Sequence, residues 1–131
     1  MSALICLATA IFFEARSEGI TGKEAVANVI INRVHDERYP DTVCAVVNEP
    51  KAFSYTHDGR HDDPRGHTAP LDRSAWVTSQ NVATEALQGD LMGLTSTHYH
   101  TNEVLPFWAS DYSIDGVVGN HIFYTNETPH K

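Results

Sequence analysis

The feature that most constrains the fold is an apolar run near the start of the chain, from Leu4 to Phe13. Apolar side chains fall on every side of a helix drawn through this run, so that helix must be largely buried. Ser2 is placed to cap its first turn and charge returns at Glu14, which predicts a helix from Ser2 to about Ala15. The run is shorter than the roughly 20 residues that span a membrane, and it lacks the basic stretch and long apolar core of a signal peptide. We therefore expect a central helix of the mature fold.

Three more helices are predicted downstream. The second begins at a capping box, in which Thr21 and Glu24 each satisfy a free backbone amide of the other residue. Apolar residues at helical spacing then follow, and Gly89 is placed as the stop of the last helix. The predicted segments are Thr21 to His35, a short helix capped by Asp41 or Thr42 and running through Val47, and Asp72 to Gln88.

The remainder of the chain has the pattern of β-structure. Gly119-Asn120 is a two-residue hairpin signal between two extended segments, and strand geometry places His98 and His100 on one face with Tyr99 opposite. The predicted strands are Leu94 to Thr101, Tyr112 to Val118 and His121 to Thr125. We predict an α+β fold, mainly helical with a small antiparallel sheet, that forms one domain over residues 1–131.

Charge and cysteine content limit the function classes. The 9 basic and 17 acidic side chains give a net charge of 9 − 17 = −8 at pH 7, which argues against a nucleic-acid-binding protein. Cys6 and Cys44 are either two buried thiols or one disulfide that ties the first helix to the segment after the second.

Glu14 is the most informative single residue. At the end of a buried helix, apolar surroundings and the negative end of the helix dipole both raise the pKa of a carboxyl group. A carboxyl group that stays protonated in this way is what a general acid requires. The alternative, which position by itself favours, is an exposed carboxylate paired with Arg16.

Aromatic and polar side chains alternate in several later segments. A saccharide groove requires this mixture, because sugar rings have apolar faces and hydroxyl edges. About half of these aromatics are expected to belong to the core instead. The segments are Phe53-Ser54-Tyr55, Tyr99-His100, Phe107-Trp108, Tyr112 and His121 to Tyr124.

Three histidines suggest a different chemistry. His98 and His100 on one strand face, with His121 on a nearby strand, have the residue types of a zinc site with an open position for water. Polar histidines in a groove are the simpler interpretation.

Several motifs, taken together, resemble the SleB/CwlJ family of cell-wall hydrolases, which includes spore cortex-lytic enzymes and phage lysins. The most specific are the Glu-Ala-Arg motif at Glu14 and the later Asn-Arg-Val motif at Asn32. The match also takes in Cys6 to Ala8, Tyr39 to Val47, Phe53-Ser54, Tyr99-His100, Trp108 and Gly119 to Tyr124. The resemblance implies a domain similar to lytic transglycosylases and goose-type lysozyme, in which Glu14 is the single general acid.

The resemblance also implies a function and a set of binding residues. We expect cleavage of the N-acetylmuramic acid–N-acetylglucosamine bond of peptidoglycan, by transglycosylation or by hydrolysis, without a cofactor. The expected glycan contacts are Phe53, Ser54, Tyr99, His100, Trp108 and His121. The alternatives are a zinc amidase that uses the three histidines and a non-catalytic glycan-binding module. We expect a monomer that is made in the cytoplasm and reaches the wall through a separate phage-encoded pore.

Overall fold

The computed structural model describes residues 2–49, 70–101, 109 and 112–125. Four helices come first in the sequence and a three-stranded antiparallel sheet follows, which confirms the predicted α+β fold. The helices are α1 (Ala3–Glu14), α2 (Ile20–Val34), α3 (Val43–Val47) and α4 (Pro70–Leu87). The strands are β1 (His98–Thr101), β2 (Ser113–Val118) and β3 (His121–Thr125).

Helix α1 is the centre of the main hydrophobic cluster, as its apolar run predicts. The Ser2 side chain accepts a hydrogen bond from the backbone N–H of Ile5 at 3.2 Å, so the predicted cap is confirmed. The helix packs against α2, α3 and α4. Its buried side chains are Cys6, Leu7, Ala8, Ala10, Ile11 and Phe12. Within the described residues, no helix has both the length and the hydropathy needed to span a membrane.

The predicted capping box of α2 is wrong. The helix begins at Ile20 with Gly19 as its N-cap, and no side chain caps it. The Gly19 carbonyl accepts the Lys23 N–H at 3.1 Å, so the first turn closes before Thr21 can act as a cap. A glycine is a tolerated N-cap residue. The side chain of the preceding Glu18 does not cap the helix and makes other contacts.

Helix α3 is joined covalently to α1. The Thr42 side chain caps α3 by accepting the Ala45 N–H at 3.2 Å. Cys44 then forms a disulfide with Cys6, 38 residues earlier, which decides between the two alternatives that the sequence leaves open. The disulfide fixes α3 against the first half of α1.

Helix α4 begins at Pro70, before the predicted start near Asp72, and ends at Leu87. Proline suits the first turn of a helix because its missing N–H has no intrahelical partner there. Gly89 has φ of 91°, a conformation that ends helices and that glycine adopts without strain. The predicted stop at Gly89 is therefore confirmed.

The sheet has the order β1-β3-β2, with the last strand in the middle. Strand β3 has the predicted limits, and Tyr99 of β1 pairs with its Phe123. The turn between β2 and β3 contains Gly119 at φ of 58°, as the Gly-Asn hairpin signal predicts. Both pairings of β3 are antiparallel.

Strand β1 is shorter than predicted, because side chains of α2 bind the backbone of residues 94–97. Asn32 donates to the carbonyls of Leu94 and Ser96, both at 2.8 Å. Asn28 accepts the Leu94 N–H at 2.9 Å. These polar groups take the place of a neighbouring strand for residues 94–96. The Thr97 N–H already donates to the Tyr124 carbonyl of β3 at 3.1 Å, and paired strand residues begin at His98.

Candidate active site

The structure brings Glu14 and Tyr99 together from opposite ends of the chain. Glu14 is the last residue of α1 and is half-buried. Tyr99 lies on β1, packs against both hydrophobic clusters, and donates its hydroxyl to Glu14 Oε1 at 2.6 Å. A bond this short to an oxygen acceptor is typical of a charge-assisted hydrogen bond.

Burial raises the pKa of Glu14 above its ordinary value of 4.5. Two weaker effects act in the other direction: the hydrogen bond from Tyr99 stabilises the ionised form, and so does the positive charge of Arg33. Burial outweighs both, because the charged form loses water that two partners do not fully replace. The carboxyl group therefore has the property that a general acid needs.

Arg16 is not the partner of Glu14. Its guanidinium forms an ion pair with Asp72 on α4 and lies over the Phe12 ring, 5.1 Å from the ring centroid. The alternative in which Arg16 neutralises an exposed Glu14 is therefore wrong.

Arg33 supplies the cation near Glu14, and it is not among the site residues predicted from the sequence. Its side chain is buried, with 9% of the residue exposed, and its Nε donates to the Thr97 carbonyl at 2.8 Å. The guanidinium also lies 5.3 Å from the centroid of the Tyr39 ring. A signal was available: Arg33 follows Val26, Val29 and Ile30 at helical spacing, so a charged residue occupies the apolar face of α2.

His121 supports Tyr99 from the neighbouring strand. The two rings meet edge to face with centroids 5.0 Å apart, and the Phe123 ring lies 5.5 Å from Tyr99. Burial lowers the pKa of His121; the Glu18 carboxylate raises it and His100 lowers it further. Two of the predicted glycan contacts thus lie together: Tyr99 contacts Glu14, and His121 packs against Tyr99.

The other face of the sheet holds His98 and His100. His100 is buried, its Nε2 lies 2.8 Å from the Tyr124 hydroxyl, and its ring stacks on that tyrosine. His98 lies against Tyr112, and burial, with the charges of Arg33 and Arg38, lowers the pKa of His98 to about 4.

This arrangement separates the three histidines of the zinc hypothesis. His98 and His100 lie on one face of the sheet, and His121 lies on the face that carries Tyr99. In the parts of the chain that the structure describes, no three His, Cys, Asp or Glu side chains are grouped so that they would hold a metal ion. The predicted ligand set of the amidase alternative is therefore not assembled.

Three predicted glycan contacts lie outside the described residues, namely Phe53, Ser54 and Trp108. For His100, the structure shows a position away from Glu14, and its contact with glycan stays a prediction.

The chain matches a known protein family over most of its length. A family model described as Cell Wall Hydrolase matches residues 17–124, which include α2 to α4, β1, β2 and all but the last residue of β3. The chain belongs to the cell wall hydrolase family. The matched segment begins just after Glu14 and contains Arg33, Tyr99 and His121.

Curated relatives of this cell wall hydrolase are spore cortex-lytic enzymes. That of Oceanobacillus iheyensis is 39% identical over 80 residues, which cover 58% of this chain and 29% of that protein. Those of Halalkalibacterium halodurans and Bacillus cereus are each 30% identical over 118 residues, or 89% of this chain and 33% and 42% of theirs. The chain thus spans between 29% and 42% of the length of these relatives.

Two solved structures share the fold of this cell wall hydrolase. The catalytic domain of the germination-specific lytic transglycosylase SleB from Bacillus anthracis superposes with a TM-score of 0.74 at 26% identity, over 94% of this chain and 93% of that one. The catalytic domain of the Bacillus cereus SleB protein gives 0.75 at 27% identity, over 94% and 89%. The resemblance to SleB/CwlJ enzymes is confirmed.

Proposed function

We propose that this cell wall hydrolase cleaves the glycan strands of peptidoglycan as a lytic transglycosylase, with Glu14 as its general acid. The observation that carries the proposal is the half-buried Glu14 carboxyl group, whose pKa is raised and whose Oε1 is held by Tyr99 at 2.6 Å. The fold shared with a structure described as a lytic transglycosylase supports it.

The reaction begins with proton transfer from Glu14 to the oxygen that bridges N-acetylmuramic acid and N-acetylglucosamine. The bond between the muramic anomeric carbon and that oxygen breaks, and the anomeric carbon acquires oxocarbenium character. The hydrogen bond from Tyr99 and the charge of Arg33 stabilise the carboxylate that Glu14 leaves behind. The carboxylate then takes the proton of the muramic 6-hydroxyl as that oxygen attacks the anomeric carbon, which closes a 1,6-anhydro ring.

Glu18 is the nearest acidic residue along the chain after Glu14, and it is not placed as a second catalytic carboxylate. Its side chain is 8% exposed, and its Oε1 accepts the backbone N–H of Asn120 at 2.8 Å. Glycosidases that use water or a covalent intermediate place two carboxyl groups across the scissile bond. An intramolecular hydroxyl as the nucleophile requires only one acid, so the position of Glu18 is compatible with transglycosylation.

The test is Glu14→Gln, which keeps the shape of the side chain and removes the transferable proton. We expect fragment release from purified sacculi to fall by at least about a hundredfold, the usual contribution of a general acid. Glu85→Gln, at an exposed position on α4, is the matched control and is expected to retain full activity. Wall-lytic activity in Glu14→Gln comparable to the control would contradict the proposal.

Mass spectrometry of the products separates the reaction types. Anhydro-ended fragments support transglycosylation, reducing-ended fragments indicate hydrolysis, and free stem peptides indicate an amidase. Binding to sacculi without released fragments would indicate a non-catalytic module. Both vegetative sacculi and spore cortex are suitable substrates, because the curated relatives are named for the cortex. Phage-associated lysis of the host stays a prediction.

A further inference from the structure

Glu18 is a buried acidic residue in the segment between α1 and α2, and the mechanism above does not use it. Its Oε1 accepts a hydrogen bond at 2.8 Å from the backbone N–H of Asn120, 102 residues away at the tip of the β2–β3 turn. Only 8% of its side chain is exposed. A carboxylate removed from water to this extent needs compensating interactions with protein groups, because desolvation of a charge is costly.

Two glycines make the space that Glu18 occupies. A Cβ on Gly22 would lie 2.7 Å from Glu18 Cβ, and a Cβ on Gly119 would lie 2.5 Å from Glu18 Oε2. Both distances are too short for a real contact. The Lys23 ammonium also donates to the Glu18 carbonyl. The first turn of α2 and the β2–β3 turn are therefore both shaped around this side chain.

Glu18 is connected to the candidate acid through two aromatic rings. Its Oε1 lies 3.4 Å from Nδ1 of His121, a buried atom without a hydrogen-bond partner in the described part of the chain. The His121 ring packs against Tyr99 with centroids 5.0 Å apart. Tyr99 in turn binds Glu14 at 2.6 Å.

We propose that Glu18 is a positioning residue of the active site: it holds the β2–β3 turn and the His121 ring in place, and so keeps the Tyr99 hydroxyl on Glu14. The inference rests on the proposed role of Glu14 as the general acid. Glu18 acts through His121 and Tyr99 and does not touch the glycan.

A positioning role for Glu18 affects the pKa of Glu14, whereas a role in stability alone does not. If Tyr99 moves away from Glu14, the hydrogen bond that lowers the pKa of Glu14 is lost, and that pKa rises. The other charge that acts on Glu14 in the described part of the chain is Arg33 of α2. Among the described residues, the charged and titratable groups that face Glu18 are Lys23 of α2 and His121 of β3.

The experiment compares Glu18→Ala and Glu18→Gln in the whole chain, with kcat, KM and the pH profile measured on soluble glycan fragments. For Glu18→Ala we expect kcat to fall by about tenfold to a hundredfold, the cost of a misplaced catalytic group, with little change in KM. The basic limb of kcat/KM, where Glu14 loses its proton, moves to higher pH. Glu18→Gln keeps an acceptor for the Asn120 N–H and is expected within about threefold of wild type.

A glycine pair separates displacement of Glu18 from backbone strain. In Gly119→Ala, the new Cβ collides with the Glu18 carboxylate, and alanine must adopt a φ of 58°. In Gly89→Ala, alanine must adopt a φ of 91°, but the new Cβ has open space around it. Both variants lose stability, but only Gly119→Ala is expected to shift the basic limb upward, in the same direction as Glu18→Ala.

Two results would overturn the inference. One is a Glu18→Ala protein that is folded and has the wild-type basic limb. The other is a loss of kcat in Glu18→Gln as large as in Glu18→Ala. A ¹³C NMR titration of the Glu14 carboxyl group measures the same shift without activity. If wild type releases no glycan fragments, the proposed function fails, and the NMR titration still decides whether Glu18 positions Tyr99.

Discussion

The disulfide between Cys6 and Cys44 leads to a prediction about stability alone. The two residues are 38 positions apart. A cross-link that closes a loop of this length lowers the entropy of the unfolded chain by an amount worth about 4 kcal/mol at 25 °C. The unfolding entropy is about 2 cal/mol/K per residue, or about 0.26 kcal/mol/K for 131 residues, so loss of the cross-link lowers the melting temperature by about 15 °C.

Activity is expected to be independent of this cross-link below the melting temperature. Cys6 and Glu14 lie on the same helix, eight residues or about 12 Å apart along its axis. The core around α1 stays intact in Cys6→Ala/Cys44→Ala, so the acid remains next to Tyr99. We expect release of glycan fragments at 20 °C within about twofold of wild type, because no group near the acid has changed.

Differential scanning calorimetry with and without a reductant provides the assay. Upon reduction, the melting temperature of wild type is expected to fall by the full amount given above. The double alanine variant is expected to melt at the temperature of reduced wild type, with or without the reductant. A reduced wild type that melts within about 3 °C of the oxidised protein would refute the entropic argument. A double variant that responds to the reductant would show that the reductant acts elsewhere.

Three further predictions concern the acid and its support. Tyr99→Phe removes the hydrogen bond that lowers the pKa of Glu14. We expect the basic limb of the kcat/KM profile to move to higher pH and kcat to fall by about tenfold. A basic limb at the same pH as in wild type would contradict this. The raised pKa of Glu14 means that its contribution to stability is fully present below the unfolded value of about 4.5 and is lost as pH rises through the folded value. Glu14→Gln, which does not titrate, is therefore expected to gain in melting temperature relative to wild type between pH 4 and pH 8, and thermal melts that run parallel across this range would refute it. Asn32→Asp replaces the amide that donates to the Leu94 and Ser96 carbonyls with a carboxylate. We expect the free energy of unfolding, measured by urea titration, to fall by about 2–4 kcal/mol. A decrease of less than about 0.5 kcal/mol would contradict this prediction.

Elements with a strong periodic signal were predictable from the sequence. The apolar run that ends at Phe13 requires a buried helix, and the Gly119-Asn120 signal fixes the hairpin. Alternation along β1 predicts that Tyr99 points away from its two histidine neighbours, and that holds. Local burial also gives the correct direction for the pKa of Glu14.

Interactions between distant segments were not predictable in this way. The side chains of Asn28 and Asn32 replace a neighbouring strand for residues 94–96, and no local pattern in those residues shows it. The contact between the Glu18 side chain and the backbone N–H of Asn120, 102 residues later, was not predicted either. In both cases a polar side chain on or before α2 satisfies backbone groups from the far end of the chain.

The place of β3 between β1 and β2 has a consequence for biosynthesis. During translation, the segment that contains Glu14 leaves the ribosome before β1, and in the described part of the chain β1 pairs only with β3, residues 121–125, which emerges later still. A nascent or prematurely terminated chain that lacks β3 therefore has Glu14 without a Tyr99 held in place by strand pairing. The contact between Glu14 and Tyr99 is therefore supported by a paired strand only after β3 has been made.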